Sequence, residues 1–146
     1  MSSAQRAAIS VCLALAAFCL AAGQSGDSAP PKSDTSVYGE LRKAPVKAAA
    51  RRNPLESDPD AISAGAKLFE LHCAECHGAN ADGGRKAPSL RADEVQSATP
   101  GTLFWLLTNG VVRKGMPVWS LLPEPQRWQL VSYIKNLGAS APAASQ

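Results

Sequence analysis

Cys73-Ala74-Glu75-Cys76-His77 constrains this chain more than any other stretch of it. Two thiols three positions apart share one helical turn, and an imidazole follows directly. Dithiol exchange, zinc binding and covalent haem attachment all use a C-x-x-C pair. A dithiol site has no need of the following histidine and belongs more naturally at a strand-to-helix junction of thioredoxin type. Zinc needs four ligands in a tetrahedron. Here the donors are His72, Cys73, Cys76 and His77, four from six consecutive residues, which is sterically awkward. C-x-x-C-H is the signature of c-type haem. The thiols reach the two vinyl groups as thioethers, and His77 comes under the iron with its imidazole pointing at the metal. The haem reading is carried forward, with zinc and dithiol as its alternatives.

Two further cysteines, Cys12 and Cys19, lie in an apolar run over residues 7–22 that follows Arg6 and is broken only by Ser10. Small residues Ala21-Ala22-Gly23 then lead into Gln24. A positive start, an apolar middle and a small-residue cleavage site describe a secretory signal peptide over residues 1–23. The run falls short of the roughly 18 apolar residues of a spanning helix, the reading of a retained anchor. A lipoprotein signal through Cys19 is disfavoured by bulky Phe18. Cleavage leaves Cys73 and Cys76 as the mature chain's cysteines, and export removes the reducing environment that would keep them as free thiols. The expected location is the periplasm.

The 146 residues suffice for one small domain with attachments. With 15 basic and 12 acidic side chains interspersed, nothing argues for nucleic acid. Residues 24–57 are rich in Ala, Ser, Pro and charge without hydrophobic period, so they read as a linker or extended arm. Arg51 and Arg52 there read as solvated surface, with partner docking as the alternative. The tail over 139–146 reads as flexible.

Between them, residues 58–138 read as helices joined by loops. Asp58 caps a helix with Pro59 first, and Ile62, Gly65, Ala66, Phe69 and Cys73 share a face. Residues 78–98 read as one long loop, a kind uncommon in compact domains unless it wraps something. Thr99-Pro100 opens a helix that Asn109-Gly110 ends. Pro123 or Pro125 opens a last helix that ends at Gly138, with Trp128, Val131, Ile134 and Leu137 on one stripe. No strand pair is evident, so the expected fold is all-α. Three short helices make a thin core, and a domain of this size needs a staple such as a large buried cofactor.

On these residues the segment from Asp58 to Gly138 resembles a class I monohaem cytochrome c of bacterial periplasms. The resemblance implies a small cytochrome c fold, with helices and loops wrapped around one haem. Gly65 and Phe69 match the G-x-x-x-F of the family's first helix, where the small residue lets the last helix cross closely. Trp128 and Tyr133 match aromatic positions of that last helix. Pro88 stands where the family has a proline whose carbonyl accepts the Nδ1 proton of the haem histidine; a plain loop proline is the alternative. Met116, in Lys114-Gly115-Met116-Pro117, stands where the family's distal ligand precedes a proline. It is the methionine that remains once the leader is removed. Pro117 biases it toward extended backbone, and Gly115 permits close backbone approach to the haem. Core filling is the alternative for Met116, as it is for Trp119, which otherwise fits the haem edge. Trp105 reads as core, His72 as surface. Arg113 and Lys114 read equally as propionate or partner contacts and as a solvated loop.

The resemblance therefore implies one covalent haem c, with Cys73 and Cys76 attaching it and His77 and Met116 on the iron. Iron filled on both sides by protein leaves no open position for substrate, so the expected role is one-electron transfer and not catalysis. The implied partners are redox proteins: a periplasmic dehydrogenase, a respiratory oxidase or a membrane complex. The membrane itself is reached only through a partner or an uncleaved leader. A subunit held by a larger dehydrogenase, and a sensor or enzyme with a labile Met116 bond, remain as alternatives.

Overall fold

Capping side chains set where the main helices begin. In the computed structural model, which describes residues 37–139, Asp58 Oδ1 accepts from the Asp60 and Ala61 N–H groups at 2.9 and 3.3 Å, and Pro59 follows at the first helical position. Thr99 Oγ1 accepts from the Thr102 N–H at 3.2 Å in the same way, ahead of Pro100. In chain order the elements are a 3-10 turn η1 (Gly39–Lys43), α1 (Val46–Ala49), α2 (Pro59–His72), α3 (Ala74–His77), α4 (Asp93–Ser97), α5 (Pro100–Asn109), a second 3-10 turn η2 (Val112–Lys114) and α6 (Glu124–Ala139). The fold is all-α: among the described residues the only β pairing is an isolated antiparallel bridge between Val111 and Met116. No helix among them is long and apolar enough to cross a membrane. The leader expected over 1–23, the first part of the 24–57 segment and the tail from residue 140 lie outside the described residues.

Helices α2 and α6 form the main crossing, with α5 packed against α6. Phe69, Leu130 and Val131 are fully buried there, and each such side chain contributes about 1.5–3 kcal/mol by leaving water. The Phe69 and Tyr133 rings meet at 5.3 Å. Trp128, Val131, Ile134 and Leu137 are all buried, as their stripe requires. On α2 the inward residues are Ala61, Gly65 and Phe69, while Ile62 and Ala66 are half-buried. The contact face is thus rotated by one position from the expected stripe, because the crossing centres on Gly65 and the residues one turn to either side of it.

Two expectations are corrected. The stretch 78–98 contains α4, a helix begun by Asp93 and Glu94 in its first turn and anchored by buried Val95. One apolar residue in five gives no period to read. Residues 37–57 do not run free as a linker. Asn53 is buried, its Nδ2 donating to Ser132 Oγ at 2.8 Å and to the Trp128 carbonyl at 3.3 Å, while its Oδ1 accepts from the Leu55 N–H at 2.9 Å. Helix α1 packs on the start of α5, where Thr99 Oγ1 donates to the Ala49 carbonyl at 2.8 Å. Arg51 is not simply solvated: its guanidinium lies 4.5 Å from the Phe104 ring centre and 5.1 Å from that of Trp128, and it pairs with Glu124. Polar side chains and short turns, not an apolar stripe, fasten this segment.

Asn53→Ala should therefore destabilise the domain by about 1–3 kcal/mol, since a backbone N–H and a carbonyl lose a buried partner together. Denaturant unfolding of the haem-loaded protein measures it.

Candidate functional site

The C-x-x-C-H segment is a single turn set at a corner. Cys73 ends α2, its N–H bonded to the Phe69 carbonyl at 2.8 Å, and its own carbonyl accepts from the N–H groups of Cys76 and His77 at 3.1 and 2.9 Å. Positions 73, 76 and 77 stand at i, i+3 and i+4, so Cys73 and the turn of α3 that it begins place both thiols and the imidazole on one side. Cys73 is half-buried, and burial, with Cys76 beside it, pushes its thiol up to about 11. Cys76 is exposed, and the pair is not joined as a disulfide.

His77 is held by the loop that follows. Its Nδ1 lies 2.9 Å from the Pro88 carbonyl oxygen. A carbonyl can only accept, so Nδ1 carries the proton and Nε2 keeps its lone pair. Burial outweighs that hydrogen bond and holds the imidazole below its usual pKa, so burial favours the neutral ring a metal requires. The loop is fixed in turn by its own backbone: Gly83 N–H to the His77 carbonyl at 2.8 Å, Ala81 N–H to Gly78 at 2.9 Å, and Leu90 N–H to Ala81 at 2.9 Å. Gly83 has φ +78°, and a Cβ there would sit 2.3 Å from the Ser89 nitrogen, so only glycine lets residues 83 and 88–89 close up. Arg91 then ties the loop to the end of α6, with Nε on the Asn80 carbonyl at 2.7 Å and Nη1 on the Leu137 carbonyl at 3.1 Å.

Met116 follows a tight turn. Val111 and Met116 exchange backbone hydrogen bonds of 2.9 and 3.2 Å around η2, and Gly115 closes that turn at φ +89°. Trp119 N–H then donates to the Leu107 carbonyl at 3.0 Å, which fastens the segment to α5.

Cys73, Cys76, His77 and Met116 all line one cavity of about 470 Å³. Its wall is mainly apolar, drawn from Leu103 and Leu107 of α5, Val95 and Ile134. These residues belong to the core as well, so the core is built around this space. Two thiols and a histidine on one wall, a thioether on the same cavity and an apolar lining fit a haem. The zinc alternative lacks a donor set: among the described residues no three His, Cys, Asp or Glu side chains group to hold a metal ion.

The remaining candidates divide. Trp119 lines the cavity and its ring lies 5.3 Å from that of His72, which is exposed at the cavity's edge. Trp105 is half-buried and stands outside the core cluster, contrary to its expected place in it. Lys114 lines the cavity and pairs with Glu40 at 3.5 Å, while Arg113 is exposed on η2. Sequence reasoning missed Tyr38, Glu40 and Leu41, which line the cavity from the segment read as a linker. Their only sequence signal is Tyr38 and Leu41 three apart in an otherwise small and polar stretch.

The family described as cytochrome c oxidase, cbb3-type, subunit III matches residues 60–134. Cytochrome c550 of Pseudomonas aeruginosa is 30% identical over 116 residues, which covers 77% of this chain and 80% of that protein. The cbb3-type cytochrome c oxidase subunit FixP of Rhizobium meliloti is 38% identical over 87 residues, 53% of this chain but 30% of its own length. A quinohemoprotein alcohol dehydrogenase, ADH-IIG of Pseudomonas putida, is 37% identical over 75 residues, 50% of this chain and 10% of the relative. The chain thus spans most of the cytochrome c550 and only 30% of the FixP subunits it matches.

Proposed function

From the premise that the chain belongs to the cbb3-type subunit III family of c-type cytochromes, whose members transfer electrons through covalently held haem c, we propose that it is a one-electron carrier with a single haem c. Cys73 and Cys76 would attach the haem, and His77 and Met116 would ligate its iron. The observation that carries this reading is the convergence of all four side chains on one apolar cavity, with His77 Nδ1 occupied by the Pro88 carbonyl.

A haem c so held supplies a ferric/ferrous couple. The chain's own residues decide how that couple behaves. The Pro88 carbonyl orients the His77 ring and raises its basicity toward the metal. The Met116 thioether, a soft ligand, favours the reduced state and raises the potential relative to a second imidazole. Leu103, Leu107, Val95 and Ile134, which line the cavity, would exclude water from a haem held there, which disfavours the more charged oxidised state. With His77 and Met116 both on the iron, small molecules would have no site to react, and the redox change would pass to a protein partner.

The partners proposed are a periplasmic dehydrogenase, a respiratory oxidase or a membrane complex, reached after export through the leader at 1–23. Support comes from the oxidase and dehydrogenase relatives named above. Small and short-lived interfaces suit such traffic.

The test is the visible spectrum of protein matured with haem in a periplasm: oxidised, reduced, and reduced under carbon monoxide. A sharp low-spin c-type spectrum unmoved by carbon monoxide is the expected result. Met116→Ala should bind carbon monoxide when reduced and show a lower potential. Carbon monoxide binding by the unaltered protein would overturn the His/Met assignment in favour of a ligand-binding haem.

A further inference from the structure

Resting on the His77/Met116 reading, we propose that Tyr38 and Glu40 are positioning residues: they make η1 a strap across the cavity that ties the wall carrying His77 to the wall carrying Met116, and so limit access to the distal face.

Three contacts build the strap. Tyr38 Oη donates to the Ser89 carbonyl at 3.3 Å, one residue beyond the Pro88 carbonyl that holds His77. Two positions later Glu40 pairs with Lys114 at 3.5 Å, two residues before Met116. Lys43, at the other end of η1, holds the same Glu40 carboxylate at 2.8 Å, which together with Lys114 draws it below the usual carboxylate range. Directly after the second anchor Leu41 lines the cavity, and η1 packs on α5.

The loop that holds His77, residues 78–90, and the loop that carries Met116, residues 111–119, are separate, and the segment from Tyr38 to Glu40 bonds to both. A segment bonded to both loops resists their separation, and opening of the distal loop is what an outside ligand needs to displace a thioether. Glu40 also has an electrostatic consequence. Its side chain is 17% exposed on the cavity wall, so its charge is felt there more than a solvated one would be. A negative charge in that place favours the oxidised centre, and Lys114 opposes it.

The measurement is the rate at which imidazole binds the oxidised, haem-loaded protein, followed in the visible spectrum, beside the midpoint potential. In Tyr38→Phe combined with Glu40→Gln, imidazole should enter about fivefold faster, the factor set by losing one neutral hydrogen bond and one half-shielded ion pair. Glu40→Gln alone should raise the potential and Lys114→Gln lower it. The two together should return it near its starting value while imidazole entry stays fast. Glu40→Asp, which keeps the charge, should restore much of the potential but less of the barrier. A merely structural role for η1 would lower the melting temperature without this pattern of signs. Imidazole entry unchanged in both Tyr38→Phe/Glu40→Gln and Lys114→Gln would overturn the strap. Failure of the underlying ligation would show differently, as carbon monoxide binding by the reduced, unaltered protein.

Discussion

The Cys73→Ala/Cys76→Ala double variant, exported alongside working haem-attachment machinery, should yield no haem-staining polypeptide and no cooperatively folding domain. The expectation follows from what the two thiols face. Leu103, Leu107, Val95 and Ile134 are at once core residues and cavity lining, so they have no other layer to pack against on the cavity side. By the roughly 24 cal/mol per Å³ that unfilled apolar space costs, a cavity of about 470 Å³ puts on the order of 10 kcal/mol at stake. A small domain holds only about 5–15 kcal/mol in total. On the proposed assignment, attachment through Cys73 and Cys76 would make the filling permanent, whereas His77 and Met116 alone would leave it exchangeable. The measurements are haem staining on a denaturing gel and the thermal transition by circular dichroism. The single variants, each keeping one thioether, should stain and melt at intermediate temperatures. A double variant that melts cooperatively with the ellipticity of the parent would show that the helices hold the cavity open unaided.

What the sequence made legible, and what it hid, divides by the kind of signal. Helices α2, α5 and α6 announce themselves through caps and apolar period, and Asp58 and Thr99 do what their spacing promises. The candidate haem residues stand out because a motif of fixed spacing needs no tertiary information. Tyr38 and Glu40 reach the cavity by tertiary contact alone. Neither a period nor a motif marks them, and the Ala, Ser and Pro around them read as linker. Asn53 and Arg51 were hidden for the same reason: a polar residue becomes structural only when a partner far along the chain, such as Ser132 or Glu124, closes the bond. The rotation of the α2 face from Ile62 to Ala61 has another cause. Apolar period finds the larger side chain, while a close helix crossing selects the smaller.

That selection gives the second large effect, at Gly65. On propensity alone, Gly65→Ala in the middle of α2 should stabilise the helix by about 1 kcal/mol. The crossing reverses the sign. A Cβ at Gly65 would lie 2.1 Å from the Gln129 carbonyl oxygen, 2.7 Å from its carbon and 2.9 Å from Tyr133 Cβ. The first two are backbone atoms, which no rotamer change can move. Helix α6 must retreat, and with it Tyr133, which meets Phe69 one turn along, and Ile134, which lines the cavity. Overpacking against backbone in this way costs about 3 kcal/mol or more. For a domain of this size that lowers the melting temperature by roughly 12–24 °C. Thermal unfolding of the haem-loaded protein checks it, with the potential measured on the same sample. The potential should fall as well, because a displaced Ile134 admits water to the cavity wall. A variant as stable as the parent would mean that α2 and α6 slide past one another freely. The cavity wall would then be set by α5 and the loops alone.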